Sequence, residues 1–312
     1  MSPPPKTIAT VRRSGPGRVA AALRRSWPGT GDRWRPFSRA PDSWWPDICL
    51  VAVFGAITGL LLWPSPLVDL DVSVRDSFLG RLPVWLDLVA KGFTYLGQGS
   101  PLALLVLLLA TWSALRFGTI RPLLMVGVTY LTLGVVLGMK NWFDRVAPRF
   151  PDQLATVDAN GSALFTDYEP ATSYPSGHAA NAVVWYALAV MLVGSALTVT
   201  WRRLLLVAPP LLLVLGQTCL GYHWLSDAPA GFVLGVVITR CIKRVRWADV
   251  HLGPLVVFEP ASDGTVVGVA GLLGGVVAAG ALPRYGVLLG LVVLAVGLTW
   301  LLVRRHRARV AG

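Results

Sequence analysis

The chain has 312 residues, of which 54% are apolar and only 14% are charged, and its mean hydropathy is +0.60. This composition is too apolar for an ordinary soluble domain and excludes disordered and collagenous proteins. The apolar residues fall in blocks close to the roughly 17–22 residues with which a helix crosses a bilayer, whereas a membrane barrel shows alternating segments of about ten. The sequence therefore predicts an all-α integral membrane protein.

The positive charge of the chain is concentrated next to the predicted spans. A formal net charge of +12 would suggest a nucleic-acid partner in a soluble protein, but most of the Lys and Arg residues flank predicted spans. Cys49, Cys219 and Cys241 lie inside apolar stretches without close spacing, so neither a disulfide framework nor a zinc site is indicated. We expect the bilayer as a partner, no nucleic acid, no metal and no cofactor; no pattern indicates an oligomeric state.

Five parts are predicted along the chain. Residues 1–46 are rich in Pro, Gly, Ser and Arg and are expected to form a disordered basic cytoplasmic tail. The transmembrane core is predicted at 47–245, a cytoplasmic loop at 246–264, and two additional transmembrane helices at 265–303. A second basic cytoplasmic tail is predicted at 304–312.

Eight apolar blocks are predicted to be membrane spans. They cover residues 48–63, 102–115, 123–139, 179–198, 204–220, 228–242, 266–282 and 287–303. The stretch 84–96 is amphipathic and too short to cross, so we expect it to form an interfacial helix that leads into the second span.

The distribution of Lys and Arg predicts the orientation of these spans. With the N-terminus inside, most of the 28 basic residues fall on inside segments. The outside segments keep only Arg75, Arg81, Lys91, Lys140, Arg145, Arg149 and Arg284. The positive-inside rule therefore predicts a multi-pass protein of the cytoplasmic membrane with both termini in the cytoplasm.

Three polar clusters then lie at the outer ends of spans, where polar residues are costly and are candidates for function. The first contains Lys140, Arg145 and Arg149 and follows the third span. The other two are 174–178, at the entrance to the fourth span, and 221–227, between the fifth and sixth. All three are expected on one face of the membrane.

The second and third clusters suit phosphoryl transfer. A helix that begins at Ser176 and Gly177 offers unpaired N–H groups and a positive dipole end to an anion. His223 and Asp227 are four residues apart, so the carboxylate can hold one ring nitrogen while the other acts as a nucleophile. His178 is then available to protonate the departing oxygen.

The cations of the first cluster would neutralise charge on the phosphoryl oxygens, Lys140 together with a nearby arginine. Each residue alone has an ordinary alternative: Ser176 as a helix cap, His223 as a hydrogen-bonded structural histidine, and Lys140 as a snorkelling anchor. Their joint occurrence favours the catalytic interpretation.

These residues resemble the type 2 phosphatidic acid phosphatase family, also called the lipid phosphate phosphatases, over about residues 48–245. The family motifs are K-x6-R-P, P-S-G-H and S-R-x5-H-x3-D. They are matched here by Lys140 with Pro148, by 175–178, and by His223 with Asp227.

The resemblance implies a six-helix membrane bundle, here with two extra C-terminal transmembrane helices. It also implies that His223 forms a phosphohistidine, that Asp227 supports it, that His178 is the acid, and that no metal takes part. On this reading the substrate-binding residues are Lys140, Arg145, Arg149, Ser176, Gly177 and Gln217.

Two arginine positions of the family are occupied by other residues. The arginine of the first motif falls at Ala147, and the Ser-Arg pair of the third falls at Gly216 and Gln217. Arg145 or Arg149 would have to supply the charge from a shifted loop, and Gln217 would donate neutral hydrogen bonds, which are about half as strong as charge-assisted ones. The loop 150–173 is long enough to be a lid, with a mobile solvated loop as the alternative.

The leading hypothesis is a metal-independent phosphatase of a membrane lipid phosphate in the cell envelope, with its site on the outer face. Polyprenyl diphosphate ranks slightly ahead of phosphatidic acid and phosphatidylglycerol phosphate, because an outward site would serve recycling of a lipid carrier. The alternatives are a phosphotransferase that uses the same histidine with a lipid or glycan acceptor, and a noncatalytic lipid-binding relative.

Overall fold

A computed structural model describes residues 34–149, 163–165 and 172–250. Within these ranges the chain is all-helical, as predicted, and contains eight α-helices. They are α1 (Trp45–Leu61), α2 (Pro66–Phe78), α3 (Val84–Thr94), α4 (Gly99–Phe117), α5 (Arg121–Phe143), α6 (Gly177–Val193), α7 (Val199–Cys219) and α8 (Asp227–Arg244). The last two predicted spans, the C-terminal tail, residues 1–33 and most of the predicted lid lie outside the described residues.

All six predicted core spans are helices. Four of them, α4 to α7, are long and apolar enough to cross a membrane, and a fifth span results if α1 and α2 are one span bent by 78°. The helix α8 carries charged residues at both ends, Asp227 in its first turn and Lys243 with Arg244 in its last, and is not among them. The predicted interfacial helix at 84–96 is also a helix, α3, and it packs against α7.

The helix α6 is the centre of the bundle. It packs against α4, α5, α7 and α8, and its Trp185 and Leu188 are at most 2% exposed. Two glycines of α8 allow the closest approach: a Cβ on Gly231 would lie 2.1 Å from Ser176 O, and one on Gly235 would lie 3.0 Å from Ala180 O. This contact brings the beginning of α6 against the beginning of α8.

The alternating direction of the helices gathers the predicted site at one end of the bundle. At that end α5 and α7 finish and α6 and α8 begin. The opposite end is fastened by Asp47 of α1, which accepts hydrogen bonds from Arg240 and Arg244 of α8.

The helix α2 was not predicted from the sequence. It begins after Ser65 with Pro66 in its first turn, a residue whose fixed φ suits a helix start. Its composition is too polar for a span, and it carries Asp69, Asp71 and Asp76. Asp71 is 1% exposed, so α2 brings a buried carboxylate into the bundle.

Part of the predicted disordered tail packs on the bundle. Trp34 is 4% exposed, and Phe37 donates its backbone N–H to Met191 O at 2.7 Å. The Arg202 guanidinium lies 4.4 Å from the centre of the Phe37 ring. Two aromatic side chains of this segment, Trp34 and Phe37, thus contact the bundle before α1 begins.

Candidate active site

The central pair of the site is His223 and Asp227. His223 lies in the turn between α7 and α8, and its Nδ1 is 3.3 Å from Asp227 Oδ2. The same carboxylate oxygen accepts from the Trp224 backbone N–H at 2.9 Å and from the Ser173 hydroxyl at 2.5 Å. Because Nδ1 faces the carboxylate, Nε2 is the nitrogen left for nucleophilic attack.

The turn that carries His223 is held from several directions. Gly221 has a φ of +65°, in the left-handed region that favours glycine, and its carbonyl accepts from the Arg149 N–H. The Trp224 indole N–H donates to Val146 O at 2.7 Å. The segment after α5 and the turn after α7 are therefore tied together around the histidine.

The other oxygen of Asp227 is paired with Arg145. The Arg145 guanidinium is 2.6 Å from Asp227 Oδ1 and 2.8 Å from Asp71 Oδ2. It also donates to the Ser226 hydroxyl at 2.7 Å. Burial by itself lowers the pKa of Arg145, but the two carboxylates outweigh it and raise that pKa above its ordinary value. Arg145 therefore carries a buried positive charge between two negative ones.

The beginning of α6 has the form predicted for an anion site. Ser176 caps the helix: its hydroxyl accepts from the Ala179 N–H at 3.2 Å, and its own N–H donates to Asp227 O at 3.0 Å. The N–H groups of Gly177 and His178 have no acceptor among the described residues. These two amides remain for a bound anion.

Lys140 and His178 complete the space next to His223. A Cβ built on Gly177 would lie 3.8 Å from Lys140 Nζ, so the ammonium lies beside the first residue of α6. The His178 and His223 rings meet edge to face with their centroids 5.8 Å apart. The structure thus brings together the predicted Lys140, Gly177, His178, His223 and Asp227.

The environment of His223 keeps the imidazole neutral. Its side chain is 5% exposed, and burial is the largest cause of a pKa below the ordinary histidine value. Asp227 opposes the shift, and the nearby Lys140 ammonium adds to it. A neutral imidazole is the form that can attack phosphorus.

The two remaining predicted binding residues lie at the edge of the site. The Arg149 guanidinium lies 4.8 Å from the centre of the Tyr222 ring, next to the turn that carries His223, and the residue is exposed. Gln217 is 3% exposed, and its Oε1 has no hydrogen-bond partner among the described residues. Its backbone carbonyl accepts from the N–H of Tyr222 and His223.

A cavity of about 700 Å³ opens from the polar site into the apolar part of the bundle. Its polar end contains Lys140, His178 and Asn181, and its walls are formed by α4, α5 and α6. Deeper in the bundle the lining is apolar and includes Leu107 and Leu124. The cavity therefore has room for a charged headgroup at its polar end and for an apolar chain directly beside it.

Four residues at the site were not assigned a role from the sequence. Ser173 contacts Asp227, whereas Asp71 and Ser226 contact Arg145, and the Trp224 indole donates to Val146 O. The signal for Ser226 was its place beside Asp227, whereas Asp71 lies in a helix too polar to be predicted. Among the residues that the structure describes, no group of three His, Cys, Asp or Glu side chains is arranged to hold a metal ion.

The chain is similar to known proteins in its sequence and in its fold. Residues 119–250 match the PAP2 superfamily. The chain is 30% identical over 176 residues to a protein of Bacillus subtilis (strain 168) named phosphatidylglycerophosphatase B, covering 54% of this chain and 79% of the relative. Its fold is similar to that of a transmembrane PAP2 type phosphatidylglycerolphosphate phosphatase from Bacillus subtilis, with a TM-score of 0.52, 23% identity, and coverage of 63% of this chain and 94% of the other.

Proposed function

The chain belongs to the PAP2 superfamily, a family of phosphatases, and on that premise we propose that it hydrolyses the phosphate ester of a membrane lipid through a phosphohistidine on His223. The observation that carries this proposal is the arrangement around one space. The His178 and His223 rings meet there at 5.8 Å, beside Lys140 and the open N–H groups at the beginning of α6.

In the first half-reaction, Nε2 of His223 attacks phosphorus and the bond to the lipid oxygen breaks. The anionic phosphate beside the ring favours the protonated form of His178, which gives its proton to that oxygen, so the lipid leaves as a neutral alcohol. Asp227 accepts a hydrogen bond from Nδ1–H and stabilises the charge that develops on the ring. Lys140 and the amides of Gly177 and His178 stabilise the equatorial oxygens.

In the second half-reaction, water attacks the phosphorus of the phosphohistidine. Neutral His178 takes the proton of that water, and the bond to Nε2 breaks. Orthophosphate leaves, and both histidines return to their starting protonation states. No step of this scheme uses a metal, so we propose that the activity is metal-independent.

Two features support a lipid as the substrate. The cavity of about 700 Å³ continues from the polar site between apolar walls, as a substrate with a long hydrocarbon chain requires. The relative named phosphatidylglycerophosphatase B makes phosphatidylglycerol phosphate the first substrate to test, with polyprenyl diphosphate and phosphatidic acid beside it.

We propose that the active site lies on the outer face of the membrane. At the end of the bundle opposite to the site, basic residues occur at the helix ends: Arg116, Arg121, Arg202, Arg203, Arg240, Lys243 and Arg244. The positive-inside rule assigns that end to the cytoplasm, which supports cytoplasmic termini and a site that faces outward.

The test is orthophosphate release by the purified protein in detergent with EDTA present, on each of the three lipids. Release that His223→Ala abolishes, together with acid-labile label trapped on the wild-type protein, supports the proposal. Loss of all activity in EDTA would overturn metal independence. Turnover that requires an added lipid or glycan alcohol would instead identify a phosphotransferase, and absence of any turnover would favour a lipid-binding role.

A further inference from the structure

We infer that Asp71 is a positioning residue for the histidine nucleophile, an inference that rests on the proposed function. Asp71 lies on α2, outside residues 119–250 that match the family. Its hydrogen bonds to described residues go to Arg145 and Ser226 and not to either histidine. Its effect on the reaction passes through Arg145 and Ser226 to Asp227.

Asp71 accepts hydrogen bonds from Ser226, the residue just before α8 begins. Its Oδ1 accepts from the Ser226 backbone N–H at 2.8 Å, and its Oδ2 accepts from the Ser226 hydroxyl at 2.5 Å. Oδ2 also accepts from Arg145 at 2.8 Å. Ser226 directly precedes Asp227, so Asp71 is connected to the catalytic carboxylate in two ways, along the chain from Ser226 and through the Arg145 guanidinium.

The charges give Asp71 a second effect. Arg145 lies between two carboxylates at 2.6 and 2.8 Å, and all three side chains are at most 3% exposed. Burial raises the pKa of Asp71, and the Arg145 guanidinium at 2.8 Å opposes that shift. With Asp71 ionised, the three groups carry one net negative charge beside His223. Without it, Arg145 and Asp227 would form a neutral pair, and the developing imidazolium would be less stabilised in this buried environment.

This arrangement differs from phosphate binding by Arg145. A guanidinium that binds the substrate contributes to the affinity for the phosphate, whereas one that holds Asp227 contributes to the chemical step. A buried ion pair by itself is weak evidence for stability, which makes the kinetic readout decisive. The two roles predict different kinetic constants for the same variants.

The first variant is Asp71→Asn, which keeps the shape of the side chain and removes its charge. We expect kcat to fall roughly 10–100-fold, as when a hydrogen-bond partner that orients a reacting group is removed, with KM changed less than about threefold. The matched control is Asp69→Asn, an exposed carboxylate two residues away on α2, for which both constants should equal those of the wild type.

A second variant keeps the test decisive if Asp71→Asn fails to fold. Arg145→Lys retains a positive charge but lacks the fork that reaches both carboxylates at once. We expect a lower kcat with an unchanged KM, whereas a large rise of KM with an unchanged kcat would show that Arg145 binds the substrate and would overturn the inference.

The double variant Asp71→Asn with Arg145→Gln tests the coupling. If both residues act on Asp227 as one unit, the loss of kcat in the double variant is smaller than the product of the two single losses. Fully multiplicative losses, or wild-type kcat in folded Asp71→Asn, would overturn the inference. Failure of the proposed function is distinguishable, because in the same assay either the wild type would release no orthophosphate or His223→Ala would retain activity.

Discussion

The His178 ring meets the His223 ring edge to face, with 5.8 Å between their centroids, at the point where α6 begins. A phosphoryl group bound beside Lys140 would therefore lie within reach of both imidazoles. Two histidines in one space have separable roles if one attacks phosphorus and the other protonates the leaving oxygen.

The loss of activity in His178→Ala is expected to depend on the leaving group of the substrate. General acid catalysis contributes roughly 10²–10⁴-fold, so hydrolysis of a lipid phosphate, whose leaving group is an alcohol, should fall by that factor. An aryl phosphate with a far more acidic leaving group needs no proton and should lose much less. The measurement compares kcat/KM of wild type and His178→Ala on both substrates.

The matched variant for this experiment is His223→Ala, which should lose activity on both substrates, because both reactions require the same nucleophile. Equal losses on the two substrates in His178→Ala would contradict the assignment of His178 as the acid.

The acid limb of the pH profile reports on His223. Burial lowers the pKa of His223 below the ordinary value of about 6.5, with a further contribution from Lys140 and an opposing one from Asp227. His223 therefore stays neutral at pH values at which a solvated histidine is already protonated. We expect the acid limb of kcat/KM to lie below about pH 6.5. A limb clearly above that value would contradict the burial argument.

The same shift has a consequence for stability. Between the unfolded and the lower folded pKa, the unfolded chain binds a proton at His223 that the folded protein does not bind. This contribution to stability is therefore complete above about pH 6.5 and is lost as the pH falls below it. Melting in detergent should show a shallower acid dependence for His223→Asn, and identical dependence in the two proteins would rule the contribution out.

Gly134→Leu is expected to shorten the cavity. Gly134 of α5 lines it, and a Cβ built there meets no atom within 4 Å, so a larger side chain enters open space. We expect activity on long-chain lipid phosphates to fall, while hydrolysis of a short-chain phosphate stays near the wild-type rate. The measurement is kcat/KM against chain length.

Gly55→Leu is the control for the cavity prediction. Gly55 of α1 also has no atom within 4 Å of a built Cβ, and it does not line the cavity. Its chain-length profile should match that of the wild type. Equal profiles for Gly134→Leu and Gly55→Leu would show that the cavity does not hold the lipid chain.

Much of the bundle was predictable because it depends on local signals. Apolar blocks located the six core helices, and the order of the motifs placed His178, His223 and Asp227 at one end. The contacts of Arg145 were not predictable. Its partner Asp71 is 74 residues away in the sequence on a polar helix, and nothing local distinguishes it from exposed Asp69. Only the tertiary arrangement pairs a cation with one carboxylate rather than another.

Gln217 is the position at which added charge is most informative. It occupies the place of an arginine in the resembled family, it is 3% exposed, and its Oε1 has no partner among the described residues. Since Arg145 is paired with carboxylates, Gln217→Arg would add a cation at the end of α7 next to His223. We expect kcat/KM on simple lipid phosphates to rise several-fold, because charge-assisted hydrogen bonds are about twice as strong as neutral ones.

The matched variant is Gln217→Met, which has a similar volume and no hydrogen-bonding group, and which should lie below the wild type. The order Arg above Gln above Met would show that this position contacts the phosphate. If folded Gln217→Arg falls below Gln217→Met, the added charge is unfavourable there, and the neutral side chain is required by a different substrate geometry.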